Sequence, residues 1–244
     1  MRTLFSAGWA GSVLALSCSL WAQQPVPNKP AEPKYTEIKY SADASSYRWE
    51  GDDRVLVLKG KVRFEQGDTI LLADRVDYRE STRSATASGN LKVYDERNTI
   101  TGDSCTIQFK EKKSTISGNV RMVVKPKPKS GVRDDKKLIT EWKDEATINC
   151  DKVEYYYKDK RASIPSPVKI TQRTRTVTAD TATYSGSDET VLLSGNVKAR
   201  DDKEKHSFAA PKVKMSLKED DQWIEAEKAT GSFYVKDEED QDTH

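Results

Sequence analysis

Five aspartates recur along the chain, Asp43, Asp74, Asp103, Asp151 and Asp180, and by residue type they are its most obvious candidates for chemistry. Carboxylates in series can build a calcium ladder or the active site of a polysaccharide-acting enzyme. Calcium, however, takes roughly six to eight oxygen ligands per ion, and one Asp per interval without acids beside it supplies too few. The expected role is to cap a corner in a strand. Little else is available for metal or nucleophile chemistry: the histidines are His206 and His244, and the cysteines are Cys18, Cys105 and Cys150. No catalytic residue, metal site or cofactor is expected, and the chain is not read as an enzyme.

Composition narrows the class further. The 244 residues carry 41 Lys plus Arg against 39 Asp plus Glu, a net charge of +2, which leaves no electrostatic footprint for a nucleic acid. One third of the residues are charged and only 35% are hydrophobic, yet Val, Ile, Thr and ten Tyr recur in regular alternation. That pattern points to a folded β protein with a thin core rather than to disorder.

The ends of the chain read separately. Residues 1–22 place one Arg before the apolar run Leu4–Leu16 and end in Trp21-Ala22, the layout of a secretory signal peptide cut after Ala22. A retained membrane anchor and a lipoprotein cut before Cys18 are the competing readings. Residues 23–34 contain Pro25, Pro27, Pro30 and Pro33 and are expected to be an extended segment. Residues 236–244 form an acidic tail with nothing to bury.

Between these ends the chain resembles itself. Gly60-Lys61-Val62-Arg63, Gly89-Asn90-Leu91-Lys92, Gly118-Asn119-Val120-Arg121 and Gly195-Asn196-Val197-Lys198 recur, the first three 29 residues apart. The Asp marker keeps the same period through Asp74 and Asp103, and again through Asp151 and Asp180. Both markers place one insertion between Val120 and Asp151, and the units number six with degenerate ends. Apolar columns two residues before and after each Gly, and at positions −3 and +4 from each Asp, alternate with Lys, Arg, Thr and Ser. Such period-two alternation predicts two antiparallel strands per unit, each dry on one face.

The columns change parity at the Asp, which a regular strand cannot do without a bulge or corner. The predicted fold is therefore all-β: bent antiparallel strands in a 29-residue repeat forming an open, V-shaped β-jellyroll over residues 35–235. Pro167 interrupts the pattern, since Ser166-Pro167 stands where other units have Gly-Asn, and pairing should break near it. The insertion, about 125–141, holds six Lys or Arg against three acids; it reads as a solvated loop or as a patch for lipid phosphates or other anionic surfaces. Cys105 and Cys150 sit about three strand residues out of register, roughly 10 Å, so two buried free thiols are expected rather than a disulfide.

The motif A-D-x-V-x-Y, followed after a turn by S-G-N-V-x-V behind a leader, resembles the OstA-like repeat of the LptA family of lipopolysaccharide transport. The resemblance covers about Tyr40 to Val235 and is clearest over Leu58–Val124. It implies a periplasmic β-jellyroll that shields lipopolysaccharide acyl chains, partnered by an inner-membrane anchor and an outer-membrane translocon and able to stack head to tail. The Tyr35–Trp49 and Trp223–Val235 ends are then the docking edges, used by strand addition.

Two candidate sets line the lipid path. Ile107, Ile116, Val120 and Met122 come from the earlier units, and Tyr155, Ile164, Val168, Tyr184 and Leu193 from the later ones. The competing reading takes these columns as ordinary sandwich core, in a structural adaptor that joins envelope proteins without holding lipid. Residue size does not separate the two.

Overall fold

The computed structural model describes residues 38–96, 98–125, 145–156, 158–218, 221 and 223–234. The signal-peptide, Pro-rich and acidic-tail readings, and nearly all of the insertion, lie outside these residues. Sixteen strands account for most of the described chain, and among the described residues there is no helix. They are β1 (Lys39–Ser41), β2 (Ala44–Glu50), β3 (Asp53–Gln66), β4 (Thr69–Arg79), β5 (Ser84–Tyr94), β6 (Asn98–Gln108), β7 (Lys113–Val124) and β8 (Ala146–Tyr156). The remainder are β9 (Arg161–Ile164), β10 (Val168–Gln172), β11 (Arg175–Ala179), β12 (Thr181–Ser185), β13 (Thr190–Asp201), β14 (His206–Ser216), β15 (Ile224–Glu227) and β16 (Thr230–Ser232).

All pairings are antiparallel, and long strands pair with their neighbours in sequence to make one continuous sheet. Halfway along each long strand the register slips, at Leu72/Arg75 against Lys92/Ser88 for β4 and β5, and at Thr101/Ser104 against Arg121/Ser117 for β6 and β7. This is the corner that the change of parity demands. It divides each long strand between a first wing, which ends at the β4–β5, β6–β7 and β8–β9 tips, and a second wing, which ends at the β3–β4, β5–β6 and β13–β14 tips.

The corner is built by one local contact used several times. Gly89 and Asn90 both take positive φ, +75° and +45°, and a Cβ on Gly89 would stand 2.5 Å from Asp74 Oδ2. Only glycine fits under that carboxylate. Asn90 tolerates the left-handed region and donates its side-chain N–H to Asp74 Oδ2 at 2.8 Å. Asn119 does the same to Asp103 at 3.0 Å, and Asn196 to Asp180 at 2.8 Å. The degenerate first unit keeps the close approach: a Cβ on Gly60 would lie 2.6 Å from Asp43 Oδ2, and Asp43 N–H donates to the Gly60 carbonyl at 2.9 Å.

Where Pro165-Ser166-Pro167 replaces the motif, the strand is divided into β9 in the first wing and β10 in the second. Proline has no N–H to give the ladder, so pairing stops there as expected. The neighbouring strand is likewise divided at Asp180 into β11 and β12. The sheet stays continuous, because β8 pairs both β9 and β10.

Candidate lipid-binding groove

Register partners define four rows that cross the sheet on its inner face, two on each wing. Next to the corner, the first wing's inner row holds Leu58, Val76, Ala87, Cys105, Ile116, Val153, Ile164, Ala182, Leu193 and Val213. Facing it, the second wing's inner row holds Val62, Ala73, Leu91, Val120, Cys150, Val168, Ala179, Val197 and Ala210. Every one of these side chains is buried, and they form one hydrophobic cluster. The wings press together so closely at Gly102 that a Cβ there would meet Ile116 Cγ2 at 2.6 Å.

The outer rows lie two residues further from the corner. On the first wing this row runs Leu56, Tyr78, Ala85, Ile107, Ser114, Tyr155, Ala162, Tyr184, Val191, Met215. On the second it runs Phe64, Leu71, Val93, Ile100, Met122, Ile148, Ile170, Val177, Ala199, Phe208. Most of these residues are only half-buried, although they are apolar and face the same interior. A dry apex therefore opens into a partly solvated apolar strip on each side.

The nine residues singled out from the sequence separate along this gradient. Ile116, Ile164 and Leu193 sit in the first wing's inner row, and Val120 and Val168 in the second's, all buried. Ile107 and Met122 are half-buried and pack against the cluster from the outer rows. Tyr184 is half-buried, and Tyr155 is 40% exposed, the most open of the nine. The fold thus brings all nine to one face while dividing them between sealed core and open strip. Left out of the nine were second-wing outer residues such as Ile148, Ile170 and Val177, although Ile148 and Val177 stand in the apolar column at position −3 and period-two spacing from Cys150, Val168 and Ala179 marks the same face.

Other chemistry is accounted for locally. Cys105 and Cys150 are free and buried, in inner rows of opposite wings, and burial raises both thiols, Cys105 to about 12. They stay protonated and serve as small apolar fillers. Asp74 and Asp103 stand on β4 and β6 with β5 between, roughly 10 Å apart at ordinary strand spacing, so each carboxylate serves its own corner. On the outer face, Glu154 accepts from Lys152 at 2.8 Å and Lys113 at 3.0 Å, which lowers its pKa to about 2. At the second wing's rim burial opposes the charge of Asp201. Arg175 Nε at 2.8 Å, Thr174 Oγ1 at 2.9 Å and the N–H groups of Lys203 and Glu204 nevertheless hold it well below the usual carboxylate range.

No curated protein matches the chain. Among solved structures, the crystal structure of LptH from Pseudomonas aeruginosa, described as the LptA homologous periplasmic component of the conserved lipopolysaccharide transport device, aligns at 15% identity. That alignment covers 62% of this chain and 76% of that one, with a TM-score of 0.36. The family model described as LptA/(LptD N-terminal domain) LPS transport protein matches residues 41–122 and 72–221. These matches take in more than half of the chain and the whole run of corners from Asp43 to Gly195, and the chain belongs to the LptA/LptD N-terminal domain family of lipopolysaccharide transport proteins.

Proposed function

We propose that this protein is a periplasmic carrier and bridge that holds the acyl chains of lipopolysaccharide, or a similar glycolipid, against its outer rows during passage from inner to outer membrane. The observation that carries this reading is the pair of half-buried apolar rows flanking a sealed apex. A chain-shaped apolar ligand laid along them would lose water at roughly 0.8 kcal/mol per CH₂, and no catalytic group is needed. Transfer then requires only similar affinities at successive sites.

The sheet ends support the bridging part. Tyr47 and Trp49 on β2 are 73% and 70% exposed, and at the other end Phe233 and Tyr234, just beyond β16, are 75% and 68% exposed. Among the described residues β2 pairs only β3, and β15 and β16 pair only β14, so each end offers a strand edge flanked by aromatic side chains. Such edges suit strand addition to a second copy, or to related jellyrolls on an inner-membrane anchor and an outer-membrane translocon.

Ile116 and Val120, two of the nine residues named from the sequence, belong to the sealed rows, where a carboxylate would break the core before it reported on lipid. Ile107→Asp and Met122→Asp are the better probes. Each should keep the far-UV circular dichroism of a β protein and lose retention of lipopolysaccharide in a fluorescent-analogue displacement assay. A folded Ile107→Asp/Met122→Asp protein that binds like wild type would exclude the outer rows as the lipid path.

A further inference from the structure

Just past its strands, the first wing's register continues into the hairpin tips. Phe109 N–H donates to the Arg83 carbonyl at 3.0 Å and Gly186 N–H to the Lys160 carbonyl at 2.9 Å, each pair one step beyond the last ladder partners. Arg83, Lys112 and Lys160 occupy equivalent places at the tips before β5, β7 and β9, with φ of +47°, +53° and +50°. They are exposed, and no ion pair or hydrogen bond engages their side chains among the described residues. Phe109, the register partner of Arg83, packs against the core and edge-on against Tyr78 at 6.0 Å, so this rim row belongs to the groove side.

Two residues down each of the same strands the outer row carries a small side chain: Ala85 below Arg83, Ser114 below Lys112 and Ala162 below Lys160. The intervening strands carry Tyr78, Ile107, Tyr155 and Tyr184 in that row. The result is three gaps between bulky side chains, half-open at Ser114 and Ala162 and closed at Ala85, which is buried; an exposed cation stands about 7 Å above each at strand rise, and roughly 10 Å from the next. The flanking tips differ: Arg54 is paired with Glu80 at 2.5 Å above Leu56, and Glu189 stands above Val191. Acids do occur in the three tips: Glu80 lies in this row and is taken by Arg54, while Glu111 and Asp159 lie one residue out of it. On the second wing's rim, among the described residues, Arg175 is paired with Asp201 and Asp95 accepts from Asn98.

We infer that the first wing's rim is an anion subsite of the groove, where Arg83, Lys112 and Lys160 take the phosphates of a phosphorylated, multiply acylated lipid whose chains enter the notches beneath Lys112 and Lys160. The inference rests on the proposed lipid-carrying role and adds to it the charge and orientation of the cargo. A guanidinium and two ammonium groups at the groove mouth meet phosphate oxygens without desolvating fully, and the contacts weaken as salt screens them.

The test uses two probes, a hexa-acylated glucosamine disaccharide carrying two phosphates and the same molecule without them. They are offered to the full-length mature protein, to the triple variant Arg83→Asn/Lys112→Asn/Lys160→Asn, and to Lys169→Asn/Lys198→Asn as a control on the opposite face of the sheet. Asn tolerates the positive φ of the tips, so the triple variant should fold. The expected result is a preference of about tenfold for the phosphorylated probe, which declines with added salt, is lost in the triple variant and persists in the control. Equal binding of both probes by wild type, or an undiminished preference in the triple variant, overturns the subsite while leaving the carrier reading intact. Failure of wild type to bind either probe removes the carrier reading, and the subsite with it.

Discussion

Inner and outer rows are written in almost the same residues, Val, Ile, Leu, Ala and Tyr or Cys, and they share one face of one sheet. They differ in depth. Val120 is 1% exposed and Ile116 5%, while Tyr155, two residues beyond the inner-row Val153, is 40% exposed. The corner decides this: wings that meet at an angle seal the rows beside the bend and separate those further out. Across most of the sheet depth is therefore set by distance from the Asp–Asn–Gly contact rather than by side-chain type; Leu56, Leu71, Ala85 and Met215, toward the two ends, are outer-row residues that stay buried.

Breaking this comparison should give the largest effect at the apex. Val120→Asp places a carboxylate in a dry row and should cost about 4 kcal/mol or more, enough to abolish cooperative urea unfolding, whereas Ile107→Asp should cost about 1 kcal/mol. Comparable losses from the two would mean that the outer row is as sealed as the inner. A smaller effect belongs to the corner itself. Gly89→Ala meets both a positive φ and the Asp74 carboxylate and should destabilise by about 3 kcal/mol. Gly67→Ala, at positive φ with open space around it, should cost about 1 kcal/mol. Equal unfolding midpoints for these two would show that the carboxylate contact contributes nothing to the bend.

The smallest effect lies outside the groove. Glu154, with its pKa lowered to about 2, gives stability that is fully present above the unfolded value near 4.3 and is lost as pH falls through the folded one. Glu154→Gln should therefore lower stability by about 1 kcal/mol at pH 7, with the difference from wild type shrinking toward zero near pH 2. Chemical denaturation at a series of pH values measures it, and a difference that does not depend on pH would assign the effect to packing.

Much of this architecture is legible in the residues, for a physical reason. A column that changes parity requires a bend, and the Gly-Asn pair on the neighbouring strand supplies the backbone that the bend needs. The break at Pro167 follows from its missing N–H. Depth was not legible, because alternation reports which face a residue shares and carries no measure of how far the wings have opened. Tyr155 and Val120 thus looked equivalent. The rim cations were hidden for another reason: Arg83, Lys112 and Lys160 read as ordinary polar turn residues until the register showed each standing over Ala85, Ser114 or Ala162.

The central claim is that the open rows hold acyl chains. Its most direct test is mass spectrometry of organic extracts from the protein purified gently, without detergent, from its own host. The account predicts an acylated, phosphorylated glycolipid in stoichiometric amount. A folded protein that yields none, and that also refuses added lipopolysaccharide, would contradict it and leave an adaptor whose apolar rows are only core.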